Sequence, residues 1–119
     1  LSIISLKNQK QFDVINKIGK KLHSDYFFAL VSSVKPKFLP HDFSNFPSMF
    51  LGMKVGKKLG NAVIRNKIKR RIRHLSRVIH AKQTNSYISI ILIPKKNFEN
   101  ILFEKLEKDF EKILKLTNL

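Results

Sequence analysis

The spacing of apolar residues changes along this chain and divides it into helical and extended stretches. Over 8–18 the order NQKQFDVINKI sets Phe12 and Ile15 three apart on one side of a helix, with Gly19 behind it as a left-handed stop. Lys20 and Lys21 then read as a basic turn, and the stretch 26–34 is rich in aromatic and β-branched residues, which suit a pleated, half-buried strand. Phe27, Ala29 and Val31 share one face of that strand, and Tyr26, Phe28 and Leu30 the other, because side chains alternate along an extended backbone. Pro36, Pro40 and Pro47, with Asp42, Ser44 and Asn45 among them, predict a loop or irregular edge strand, since proline lacks the amide that a helix or ladder needs. A further strand is expected over 49–55, ended by GKKLG at 56–60, after which Asn61 supplies an oxygen to cap a long helix over 61–79.

Beyond the polar stretch 82–86, the run YISIILI at 87–93 is short, β-branched and stopped by Pro94, and it reads as a buried strand. Strand, helix and strand in succession suggest a crossover unit. A last helix is expected from near Phe98, with Glu99 in its first turn and Lys112 and Lys115 in its last. Leu102, Leu106, Phe110 and Ile113 lie along one side of it to cover a sheet. With 119 residues, no internal repeat and a hydrophobic fraction of 43%, residues 1–119 are expected to fold as one α+β domain rather than stay disordered.

Charge changes this picture from a fold to a partner. Lys and Arg number 24 against 8 Asp and Glu, a formal charge of +16 that calls for a polyanion, either nucleic acid or an anionic membrane surface. No apolar run approaches the roughly 18 residues that span a bilayer, so a membrane-embedded chain is not expected. The charge is also segregated. Between Asp42 and Glu99 there are 13 Lys or Arg and no acid, while five of the eight acids fall between Glu99 and Glu111.

On the helix over 61–79, Ile64, Ile68, Ile72, Leu75 and Ile79 fall within a stripe roughly 80° wide that faces the core. Arg65, Asn66, Lys69, Arg70, Arg73 and Arg77 occupy a separate arc of roughly 140°. Lys67 and His74 flank it, and Arg71 lies beside the apolar stripe, where its stem can pack while its head reaches water. A merely solvated face would mix signs. Here Arg65/Lys69, Lys67/Arg71, Lys69/Arg73 and Arg73/Arg77 are like-charge pairs four apart, together destabilising the free helix by about 1–2 kcal/mol. Phosphates reverse that sign, and Arg forks with the Asn66 amide suit phosphate or base contact. Lys57 and Lys58, between Gly56 and Gly60, add charge where backbone amides could approach an anion, though GKKLG lacks the spacing of a nucleotide-triphosphate loop.

Catalytic groups are not evident. The carboxylates Asp13, Asp25 and Asp42 are isolated in sequence, the acids after Glu99 alternate with lysines, and His23, His41, His74 and His80 lack metal-ligand spacing. Cysteine is absent, which excludes disulfides and a thiolate nucleophile and is compatible with a reducing, cytoplasmic setting. No catalytic residue and no metal ligand is expected in this chain.

The stretch GMKVGKKLGNAVIRNKIKRRIRH, 52–74, closely resembles the signature of the protein subunits of bacterial ribonuclease P. That family carries an Arg-Asn pair, a Lys-Arg pair and a further Arg, matched here by Arg65-Asn66, Lys69-Arg70 and Arg73, after Gly60-Asn61-Ala62-Val63. LKNQKQF at 6–12 is similar to the family's first helix, YFFALV at 26–31 to its first strand, and YISIILI to its last strand. The resemblance implies a two-layer α/β sandwich of αβββαβα-like order with a left-handed βαβ crossover, the fold type of ribosomal protein S5. It also implies a ribonucleoprotein in which a large catalytic RNA, with magnesium, removes the 5′ leader of precursor tRNA. The expected partners are that RNA and precursor tRNA, with no membrane and no obligate protein partner. Lys57, Lys58, Asn61, Arg65, Asn66, Lys69, Arg70, Arg73 and Arg77 would then bind RNA. Phe12 and Phe28 would stack on leader bases in a cleft between the first helix, the sheet and the basic helix, or else pack in the core. Asn16 stands where many family members have an aromatic residue, and Lys95-Lys96 near the family's basic position after the last strand. Two other readings remain at this stage: a ribosomal or general RNA- or DNA-binding protein without processing activity, and a nuclease that works without RNA.

Overall fold

The computed structural model describes residues 3–6, 9–33, 48–82 and 87–117. Its elements follow in the order β1 (Ile3–Ser5), α1 (Gln9–Ile18), β2 (Lys20–His23), β3 (Phe27–Ser32), β4 (Ser48–Met53), α2 (Ala62–Lys82), β5 (Tyr87–Pro94) and α3 (Phe103–Thr117). Short 3-10 turns occupy Lys57–Leu59 and Phe98–Asn100. The strands form one mixed sheet in the order β1-β4-β5-β3-β2. From α1 onward this is the expected αβββαβα sequence in an α+β fold, preceded by the short β1, which the pattern reading did not mark.

β5 is central, parallel to β4 and antiparallel to β3, and its largely apolar sequence suits a strand covered by α2 and α3 on one face and partly by α1 on the other. Ile88, Ile90 and Leu92 are fully buried toward α2 and α3, where Ile68, Ile72, Leu75, Ile79, Leu106 and Phe110 meet Phe27, Ala29 and Val31 of β3. The opposite face is thinner. There Ile15 of α1 packs on Phe50, Ile91 and Leu6, with Phe12, Leu30 and Ile93 partly exposed at the margin. The basic helix therefore backs one face of the sheet and α1 partly covers the other.

Several expectations need correction. Lys20 and Lys21 are not a turn; they begin β2, an edge strand paired antiparallel to β3, and so supply the third strand between α1 and α2. Lysines suit such an edge because they discourage pairing with another chain. Gly19 is not left-handed, since Gly60 is the glycine with positive φ among the described residues. Its role is close approach: the Gly19 amide bonds the Ile15 carbonyl at 2.8 Å, and a Cβ there would lie 2.7 Å from that oxygen. β4 ends at Met53, before Val55, while β5 includes Pro94, paired opposite Phe27 near the end of the ladder. α2 runs on to Lys82.

The last helix begins at Phe103. Phe98 is fully buried within a 3-10 turn, and the chain bends at Ile101 before the helix starts, which leaves Leu102 66% exposed rather than on the covered side. Leu106 and Phe110 do face the core. The expected loop or edge strand around Pro36, Pro40 and Pro47, the expected helix start at Asn8, the polar linker over 83–86 and the side chain of Ile113 lie outside the described residues.

Candidate nucleic-acid interface

The start of α2 is set by backbone chemistry. Gly60 has φ 145°, a conformation open mainly to glycine, and an added Cβ would lie 2.9 Å from the Ile64 side chain. Asn61 then caps the helix: its Oδ1 accepts the Ile64 amide at 3.0 Å and its carbonyl the Arg65 amide at 2.9 Å. That occupies the Asn61 oxygen and leaves its amide nitrogen for a ligand. The expected approach of an anion to the GKKLG backbone meets a competing demand. The Leu59 amide donates to Gly56 O and the Gly60 amide to Lys57 O, so these two donors are used within the turn. The Lys57 and Lys58 side chains are exposed.

Along α2 the helical spacing separates core from surface as expected. Ile68, Ile72, Leu75 and Ile79 are fully buried, Ile64 is half-buried, and Asn66, Arg70, Arg73 and Arg77 are exposed. Arg65 and Lys69 are half-buried. The arc fans to two sides: Arg73 and Arg77 line a depression with Ile3, Ser5 and Leu51 at the β1 edge, while Arg70 lies toward α3 with His74 and Phe103. The Lys82–Glu111 pair (2.6 Å) and the Lys112–Asp109 pair (3.3 Å) sit away from this arc. Each member of the first pair holds the other charged, raising the Lys82 pKa and lowering that of Glu111 through their mutual hydrogen bond.

Arg71 has a different occupation. Its guanidinium donates to the Phe98 carbonyl at 2.6 Å and to the Ile101 carbonyl, tying α2 to the bend before α3. Burial lowers its pKa, an effect the nearby Glu99 opposes, yet the guanidinium stays charged at neutral pH. The hydrogen bonds of Arg71 thus serve the fold, as its position beside the apolar stripe allows.

On the other face of the sheet the structure brings together residues that are far apart in sequence. Phe12 projects from α1 across β4, close enough that a Cβ on Gly52 would fall 2.6 Å from its ring. Lys54 Nζ stands 6.0 Å from the Phe12 ring centroid. Phe28, half-exposed on β3, has Lys95 Nζ at 4.6 Å and Lys21 Nζ at 5.3 Å from its centroid, and the His23 ring at 4.7 Å. Lys95 is fixed there by donating to the Ser24 carbonyl at 2.8 Å, and it lies 2.8 Å from His23 Nε2. Phe12 and Phe28 therefore occupy one open, cation-ringed face. The walls given by these contacts are α1 and the sheet, while α2 packs behind the sheet.

Lys21, His23 and Lys54 escaped the sequence reading. The first two share a strand face by two-residue alternation, which was hidden by reading β2 as a turn. Lys54 follows the end of β4, and its amide continues the ladder to the Leu92 carbonyl at 2.9 Å. Among the described residues no group of three or more His, Asp or Glu could hold a metal ion. Among those residues, too, no helix is long and apolar enough to cross a membrane.

Comparison with known proteins adds independent information. Residues 3–118 match the family model described as Ribonuclease P. The ribonuclease P protein components of Rickettsia peacockii and Rickettsia conorii are each 48% identical over 118 residues, covering 96% of this chain and 97% of theirs. Among solved structures, the RNase P protein from Thermotoga maritima superposes with a TM-score of 0.70 at 28% identity, covering 94% of this chain and 96% of that one. The Staphylococcus aureus RNase P protein gives 0.66 at 26% identity, covering 94% and 93%.

Proposed function

The chain belongs to the ribonuclease P protein family, the protein component of the holoenzyme that matures tRNA 5′ ends, and we propose that its two cationic faces divide the binding work. The arc of α2, with Arg65, Asn66, Lys69, Arg70, Arg73 and Arg77 and with Lys57, Lys58 and Asn61 at its start, engages the catalytic RNA. The face of Phe12 and Phe28, with Lys21, Lys54 and Lys95 around it, receives the single-stranded 5′ leader of precursor tRNA.

One observation carries this reading: two flat rings and three lysines converge on the thinly covered side of the sheet, opposite the basic helix. Rings stack on unpaired bases of any sequence, and lysines track the phosphates between them, which suits leaders that differ from one tRNA to another. The α2 arc, by contrast, is dominated by charge. Arg forks bind phosphates in pairs and set position on a folded RNA rather than read its sequence.

Hydrolysis of the leader phosphodiester is assigned to the catalytic RNA with its magnesium. Among the described residues no cluster of His, Asp or Glu fits a metal site, and none of them is given a place in bond cleavage. What the chain contributes is affinity for leader-bearing substrate and neutralisation of phosphate repulsion between two large RNAs.

The test is reconstitution. The full chain is mixed with its cognate catalytic RNA and a precursor tRNA at physiological magnesium, and correct 5′ ends are counted with and without protein. A protein-dependent gain in correct maturation is expected; its absence would overturn the reading. Cleavage by rigorously RNA-free protein would instead show that the chain itself carries the chemistry.

A further inference from the structure

On the side of α2 away from β1, Arg70, Arg71 and His74 line an open cavity of about 390 Å³ together with Phe103. The His74 and Phe103 rings meet edge to face, with centroids 4.8 Å apart and planes at 89°. Arg71 is held from behind by the Phe98 and Ile101 carbonyls, which fixes the wall it provides. Leu102, next in the chain to Phe103, is 66% exposed. None of these contacts is used by the leader face, which lies across the sheet.

We infer that this cavity is a docking site for one unstacked base of the catalytic RNA, received against the Phe103 and His74 rings while Arg70 holds the adjoining phosphate. The inference rests on the assignment of α2 to the catalytic RNA. Two features select the occupant. The rim is cationic, with Arg70 shared between the cavity and the phosphate-binding arc and Lys67 exposed one turn earlier on the same side of the helix. An apolar peptide would gain nothing from that rim, and a second copy of this +16 chain would be repelled by it. The rings and the planar Arg71 group, in turn, match the flat face of a splayed base, which proteins recognise by stacking on aromatics and guanidinium planes. The precursor leader is not the occupant chosen here, because its proposed site is on the opposite face.

His74→Ala, Phe103→Leu and Phe103→Tyr are made in the full chain. Binding to the cognate catalytic RNA is measured across a salt series, and base-specific chemical probing of the RNA is run on each complex. His74→Ala and Phe103→Leu are expected to weaken binding by roughly five- to a hundredfold, as loss of one stacked base does. The salt slope should be unchanged, since no phosphate contact is removed. One loop base protected by the parent protein should become reactive with both variants, while Phe103→Tyr, which keeps the ring, retains protection. Unfolding followed by circular dichroism separates loss of the site from loss of the fold.

A complex of the parent protein in which no unpaired base is protected overturns the inference while leaving the wider role of α2 intact. So does a loss of affinity shared equally by Phe103→Tyr and Phe103→Leu, or a change confined to self-association in sedimentation. Failure of the parent protein to bind the catalytic RNA at all would sink the underlying assignment of α2 as well.

Discussion

Arg70 and Arg71 differ by one position and by 100° around the helix, and that angle separates an exposed charge from a structural one. Arg70 is exposed, whereas Arg71 spends its donors on the Phe98 and Ile101 carbonyls. Arg70→Ala is expected to weaken catalytic-RNA binding and flatten the plot of log affinity against log salt by about 1, the signature of one lost phosphate contact. Arg71→Ala should do the reverse. It removes two charge-assisted bonds and should lower unfolding free energy on the order of 2 kcal/mol, with the salt slope unchanged once binding is measured on folded protein. Denaturant titrations beside the binding series would separate the two; equal slopes for both variants would remove Arg70 from the phosphate-binding arc. Sequence spacing had set Arg71 apart from its neighbours, but not the carbonyls it meets. Those come from the bend before α3, whose position depends on Phe98 being buried.

At the level of elements, the proposed leader face depends on β4 and α1 approaching closely, and Gly52 is what allows it. A methyl at that position would sit 2.6 Å from Phe12 Cε1 and 3.0 Å from Leu6 Cδ1, so the ring has to move or α1 has to lift. Gly52→Ala is expected to cost about 1–3 kcal/mol of stability through overpacking. It should also reduce the preference for leader-bearing precursor over mature tRNA. Phe12→Ala should reduce the same preference, with stacking worth roughly 1–3 kcal/mol per base, and binding of both tRNAs by each variant is the measurement. Losses of equal size on precursor and mature tRNA would mean that Phe12 serves the core formed with Ile15, Phe50 and Ile91 rather than the substrate. β2 teaches a related lesson: four residues, KKLH, are too few and too polar to announce a strand, yet pairing with β3 turns Lys21 and His23 toward Phe28.

Across the whole molecule, a charge of +16 is distributed over two faces of one sheet instead of one stripe. If all seven cations of the catalytic-RNA set (Lys57, Lys58, Arg65, Lys69, Arg70, Arg73 and Arg77) meet phosphates, the salt slope for that RNA reaches at most about 6. Leader contacts, which add Lys21, Lys54 and Lys95, should appear only when precursor is present, raising the slope for the ternary complex above that for the binary one. Equal slopes in the two titrations would argue that the lysines near Phe28 and Phe12 touch no RNA phosphate.

The long helix, its isoleucine stripe, its capping asparagine and its cationic arc were legible in the sequence because each is decided by residues within a few positions of one another. The family motif from Gly52 to His74 was legible for the same reason. For the proposed leader face, the family resemblance pointed to Phe12 and Phe28, but no local pattern placed them on one face or brought Lys21 and Lys54 beside them. Residues 12, 21, 28, 54 and 95 lie on different elements, and only the strand order β1-β4-β5-β3-β2, with α1 folded over one face, makes them neighbours. Sequence by itself thus determined which helix carries the charge and which side of it is core, since helical periodicity is local. The tertiary structure decided which charges are free and which aromatic rings they surround, since strand pairing and burial join parts of the chain that no local pattern connects.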